Sequence, residues 1–146
     1  MSASHLLDVN VLIAAAWPTH QAHARVQQWL ARHASEGWAT CPLTESAFVR
    51  IVSNPAFSPS ALTPVGALAL LRANLGHPTH QFWEDDIPFS EAAAPFAARL
   101  RGHQQVSDAY LFGLAIHKKG KLVTLDRGTL SLAQPGSPER ERVVVI

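Results

Sequence analysis

The sequence predicts an α/β fold in which a parallel sheet of four to five strands carries helices on both faces. Three observations predict it. Short apolar runs alternate with longer stretches whose apolar residues recur at helical spacing. Successive runs are separated by enough chain for helical crossovers, which parallel neighbours require. Finally, 146 residues with 47% hydrophobic content suffice for one core, because a chain of this length buries roughly two thirds of the surface it exposes when unfolded.

The elements follow in order. HLLDV, residues 5–9, has the composition of a short buried strand, and NVLIAAAW, 10–17, starts a helix that Pro18 ends. A second helix is expected over 19–37, with Ala22, Val26, Trp29, Leu30 and His33 on one face, Thr19 as cap and Gly37 as stop. WATCP, 38–42, reads as a second strand, and LTESAFVRIVSNP, 43–55, as a helix capped by Thr44 and ended by Asn54-Pro55. Beyond a Pro- and Ser-rich loop at 57–64, a helix over 65–76 leads to a third strand, HQFWED, at 80–85. SEAAAPFAARLRG, 90–102, is a helix kinked or started late by Pro95, and SDAYLFGLAIHKKG, 107–120, is one capped by Ser107 and closed by Gly120. KLVTLD, 121–126, supplies the fourth strand and RVVVI, 142–146, a fifth. No repeat or linker interrupts the series, so residues 1–146 read as a single domain.

Composition excludes several classes. One cysteine, Cys41, permits no internal disulfide, and the N-terminus lacks the basic stretch and apolar run of a signal peptide, so a cytoplasmic protein is expected. No segment approaches the roughly 20 apolar residues of a membrane span. Net charge is +1, but if four acids serve a metal, twelve Lys and Arg face the seven that remain, a balance suited to an anionic partner.

The acids carry the functional signal. Asp8 lies in an apolar run with no Lys or Arg before Arg25, and a buried ion costs several kcal/mol unless something compensates it. In parallel sheets the site lies at the carboxyl ends of the strands. Asp8 ends the first strand, Glu45 opens the helix after the second, Asp126 ends the fourth, and Asp108 starts the helix that runs back into the fourth. Each alone has a structural explanation: Glu45 and Asp108 favour a helix dipole, and Asp126 suits a turn. Together they converge on one edge. Four carboxylates within a few ångströms repel, each pair by about 4 kcal/mol at 4 Å and an effective dielectric of 20. Oxygen-only ligands select hard cations, so Mg²⁺, with Mn²⁺ as a substitute, is the expected guest, and phosphodiester hydrolysis the chemistry it implies.

LLDVNVLIA, PLTESAFVRI and SDAYLFGLAIHKKGKLVTLD together resemble the PIN domain, and within it the VapC-type toxins of bacterial toxin-antitoxin pairs, from about Leu6 to Asp126. The resemblance implies a PIN-like fold and a Mg²⁺-dependent endoribonuclease toxin acting on tRNA or rRNA. It implies Asp8, Glu45, Asp108 and Asp126 as the catalytic and metal-binding set, with Asn10 and Thr124 in support. It further implies a homodimer and a cognate antitoxin laid across apolar grooves near the first helices. Many relatives carry an acid two residues after the last aspartate and an aromatic beyond it; Gly128 and Leu130 stand there in this chain, which leaves one or two metals open.

Other features are weighed against this set. Arg50 and Arg127 are candidates for RNA phosphates. Lys118, Lys119 and Lys121 lie at the far end of the helix begun by Asp108 and complement its C-terminus. The pairs His20 and His23, and His77 and His80, read as surface or loop histidines, Glu84 to Asp86 as a strand end in solvent, and Trp29 and Trp83 as core. The competing reading is a non-catalytic PIN-fold protein-interaction module. A phosphoacceptor receiver domain fits less well, because the third and fourth strands supply no acceptor Asp and Lys pair.

Overall fold

The computed structural model describes residues 3–146. Five parallel strands, β1 (His5–Leu7), β2 (Trp38–Thr40), β3 (His80–Phe82), β4 (Lys121–Thr124) and β5 (Val143–Val145), form one sheet in the order β3-β2-β1-β4-β5. The helices are α1 (Val9–Ala16), α2 (His23–His33), α3 (Pro42–Val52), α4 (Pro64–Leu75), α5 (Phe89–Ala93) and α6 (Val106–His117). Side chains alternate across each strand. Leu7 and Val123 therefore pack with Val11, Leu12, Val26, Phe48 and Leu71 from α1 to α4. Leu6 and Leu122 pack on the other side with Phe96, Phe112 and Leu114.

The expected fold class holds, and the departures lie at element ends. Residues 17–22 form turns, so the second helix starts at His23 with no side-chain cap, not at Thr19. Cys41 and Pro42 do not extend β2. Pro42 is the first residue of α3, where its missing N–H costs nothing, and Thr44 serves from inside the helix by accepting from the Cys41 amide at 3.0 Å. Ser107 does not cap α6 either, because a 3-10 turn over His103–Gln105 runs directly into that helix. Pro95 lies in the 3-10 segment Ala94–Arg99 that follows α5, so the residue converts the helix instead of kinking it.

The end of α6 shows why a glycine can mislead. Lys119 takes the left-handed backbone at φ 61, whereas Gly120 is present for space: a Cβ there would sit 2.8 Å from the Ser4 carbonyl oxygen. The third strand stops at Phe82, and Glu84 to Asp86 beyond it are exposed, as expected, while two of them also take partners on α6 and just after it. Asp85 accepts from the Tyr110 hydroxyl at 2.7 Å, and Asp86 meets Lys118 at 2.8 Å. Trp83 is buried, as expected; Trp29 is only half-buried.

Candidate active site at the carboxyl edge of the sheet

Chain order reverses at β1, which leads on to β2 on one side and borders β4 on the other. Such a switch point leaves a crevice at the carboxyl ends of the strands. Asp8 follows β1 directly, Asp126 stands two residues beyond β4, and Asp108 lies in the first turn of α6, all at that crevice.

Asp8 is only 4% exposed. Its Oδ1 accepts from the Val9 amide at 2.7 Å, which makes it the cap of α1, and its Oδ2 accepts from the Thr124 hydroxyl at 2.9 Å. Thr124 in turn accepts from the Asn10 side-chain amide at 3.3 Å and from the Asp126 backbone at 3.1 Å. Asn10 is fixed from its other end, where its oxygen accepts from the Leu125 amide at 3.2 Å. Asn10 and Thr124 thus brace the first carboxylate against the end of β4.

Electrostatics link three of the acids. Burial raises the Asp8 pKa, the two hydrogen bonds oppose it, and the Asp126 charge adds to the rise. Asp108 is pushed up to about 6, first by burial, then by Asp8, then by Asp126. Each of these carboxylates is held toward its neutral form in the absence of a cation. Among the described residues, no three of the four carboxylates bring oxygens within 4.8 Å of one another. The set is open enough for a hydrated divalent cation, and its all-oxygen donors suit a hard one.

Glu45 stands apart from that mutual repulsion. It lies in the first turn of α3, and its Oε2 accepts from the Thr40 hydroxyl, at the end of β2, at 2.7 Å. His80 Nε2 lies 2.7 Å from the same Thr40 oxygen. A hydroxyl has one hydrogen, already given to Glu45, so His80 donates through Nε2. Thr40 and His80 are missing from the sequence reading, which placed His80 among surface or loop histidines; it is in β3, half-buried, behind a carboxylate. No local spacing could reveal this, because the contact spans forty residues. The remaining three of those histidines bond to nearby backbone instead of pairing with each other.

Asp126 accepts from the Gly128 amide at 2.8 Å, and a Cβ at Gly128 would lie 3.0 Å from that same oxygen. The place where many relatives carry an acid is here the donor that orients Asp126. Arg127, exposed, follows immediately. Arg50, also exposed, falls in the last turn of α3, five residues and roughly 7.5 Å down the axis from Glu45. The structure brings Arg127 to the carboxylates and leaves Arg50 at the opposite end of its helix.

A profile of the PIN domain matches residues 5–134. The chain belongs to the PIN-domain family. It is 42% identical over 134 residues to Ribonuclease VapC39 of Mycobacterium tuberculosis, covering 92% of this chain and 96% of that protein. It is 43% identical over 129 residues to Ribonuclease VapC38 of the same species, covering 88% and 89%. The fold is similar to a chain of the VapBC2 complex from Rickettsia felis, whose crystal structure holds a promoter DNA fragment. That likeness has a TM-score of 0.63 at 12% identity and covers 97% of this chain and 96% of the other. No helix among the described residues is long and apolar enough to cross a membrane.

Proposed function

We propose that this PIN domain, one unit over residues 1–146, is a metal-dependent endoribonuclease toxin of the VapC type, cytoplasmic and neutralised by a cognate VapB-type antitoxin. Its relatives named as VapC ribonucleases support the activity class. The observation that carries the metal is the grouping of Asp8, Asp108 and Asp126 at one crevice, where among the described residues no Lys or Arg charge offsets the burial of Asp8 or Asp108. These carboxylates would hold a Mg²⁺ ion, or Mn²⁺ in its place, which when bound would supply the positive charge that in-line phosphodiester hydrolysis requires.

The chain's own residues do the rest. Asp8, pinned by Thr124 and the Val9 amide, would hold the cation together with Asp108, which the first turn of α6 brings to the same crevice. Glu45, steadied by Thr40, approaches from the β2 side and can take a proton from the attacking water. Arg127 beside Asp126 is placed for an RNA phosphate, and Arg50 for one farther along the strand. The antitoxin fits the apolar groove lined by Leu12, Ala15, Leu30 and Ala31 on the first two helices, with a second copy of the chain completing a homodimer.

The test is cleavage of total RNA by purified protein with Mg²⁺ or Mn²⁺ and with EDTA. Wild type cuts only with metal, and Asp8→Asn and Asp108→Asn, each folded, lose at least about a hundredfold in rate, roughly 2.7 kcal/mol of barrier. Metal-independent cutting, or full turnover by either variant, overturns the assignment, whereas no cutting by wild type with either metal leaves the interaction-module reading.

A further inference from the structure

The amino edge of the sheet carries a second group of metal-ligating side chains. His5 is the first residue of β1, His33 the last of α2, and Glu36 the last of the 3-10 turn that follows α2. One ligand atom from each lies within 4.8 Å of the other two. Asp8 is three residues on, just past the opposite end of β1 and roughly 10 Å away, so this group is separate from the carboxylate crevice.

Three observations point to a ligand. His5 is 5% exposed, and its Nδ1 is buried with no hydrogen-bond partner among the described residues, which a native interior rarely tolerates. Trp29 orients both imidazoles, stacking on His33 at 4.2 Å between centroids and meeting His5 edge-on at 4.9 Å. His33 Nδ1 already contacts Glu36 Oε2 at 2.5 Å, and both are partly exposed, so a cation can take the place of the proton between them.

We propose that His5, His33 and Glu36 form a binding site for one borderline divalent cation, of which Zn²⁺ is the type. Two imidazoles and one carboxylate match the donors Zn²⁺ prefers, with water in the fourth position, whereas Mg²⁺ prefers oxygen ligands. Bonds of about 2.0 to 2.1 Å in a tetrahedron place ligand atoms roughly 3.4 Å apart. Closure therefore requires movements on the order of 1 Å, available to the exposed ends of His33 and Glu36. The bound ion ties the end of α2 to the start of β1, where the Ser4 amide already donates to the Glu36 carbonyl at 3.0 Å.

The experiment uses untagged protein stripped with EDTA, then dialysed against Zn²⁺ in the presence of excess Mg²⁺, with bound zinc counted by mass spectrometry and Tm recorded. Wild type and an Asp8→Asn, Asp108→Asn double variant both retain about one zinc per chain and melt higher with it. His33→Gln and Glu36→Gln, at partly exposed positions that leave the core intact, each bind zinc at least tenfold more weakly and lose the Tm gain. Absence of retained zinc in wild type, loss of zinc in the carboxylate variant, or unchanged binding in both His33→Gln and Glu36→Gln overturns the site. Nuclease activity is not a readout here, so failure of this proposal is distinct from failure of the ribonuclease reading.

Discussion

Thr124 concentrates three bonds on one oxygen: it donates to Asp8 and accepts from Asn10 and the Asp126 amide. Thr124→Val keeps the shape and removes all three. The variant is expected to lose about 1 to 3 kcal/mol of stability, the cost of unmade bonds in a buried place, and to cleave more slowly; urea titrations at fixed pH measure the first. Asp108 gives a pH signature. Its folded pKa is raised from 3.8 to about 6, so between those values the native state binds more protons than the unfolded one. Stability without metal therefore falls as pH rises from about 4 toward 6 and beyond, by on the order of 1 kcal/mol once solvent screening of this partly exposed group is allowed for. Asp108→Asn should lack that component. Tm measured in EDTA at pH 5 and pH 7.5 for both proteins isolates the contribution of Asp108 and its coupling to Asp8 and Asp126 as a difference, since acids remote from the crevice, such as Asp86 with its lowered pKa, contribute equally to each.

At the scale of elements, the packing of α5 on α6 sets where Asp108 stands. Gly113 of α6 lies so close to α5 that a Cβ would fall 2.0 Å from the Ala92 carbonyl oxygen. Backbone cannot yield as a flexible side chain can, so Gly113→Ala should cost about 3 kcal/mol or more, although alanine is the better helix former by about 1 kcal/mol. Thermal or denaturant unfolding reads the loss directly. The same element shows what the sequence could and could not disclose. Its apolar run and opening Asp108 were legible because periodicity and the strand that follows are local signals. Its start was not, since the turn at His103–Gln105 flows into it without a polar cap. Likewise Asp8, Glu45, Asp108 and Asp126 could be assigned to one edge from chain order alone. Nothing local, however, tells that Glu45 leans on Thr40 and His80 while the other three repel one another, because those contacts are set by the β2–β3 pairing. Arg50 looked close to Glu45 in sequence, but five residues of helix carry it away.

Across the whole molecule, the sheet exists with its carboxylates only because the rest of the fold outweighs their repulsion. Buried apolar side chains line both faces of the sheet, and that burial offsets the cost of holding Asp8 and Asp108 near Asp126. A cation that binds the native state alone removes the cost and stabilises by RT ln(1 + [L]/Kd), about 2.7 kcal/mol at a hundredfold excess over Kd. Removing a charge should do part of the same work, while abolishing the site. Stability without metal and activity therefore move in opposite directions in Asp108→Asn.

The decisive measurement is a set of four melting curves: wild type and Asp108→Asn, each with EDTA and with Mn²⁺. The carboxylate site predicts that wild type melts lower than the variant in EDTA and gains several degrees with Mn²⁺, whereas the variant gains little. A wild type at least as stable as the variant in EDTA, with no shift on adding Mn²⁺, contradicts a metal centre at this edge of the sheet.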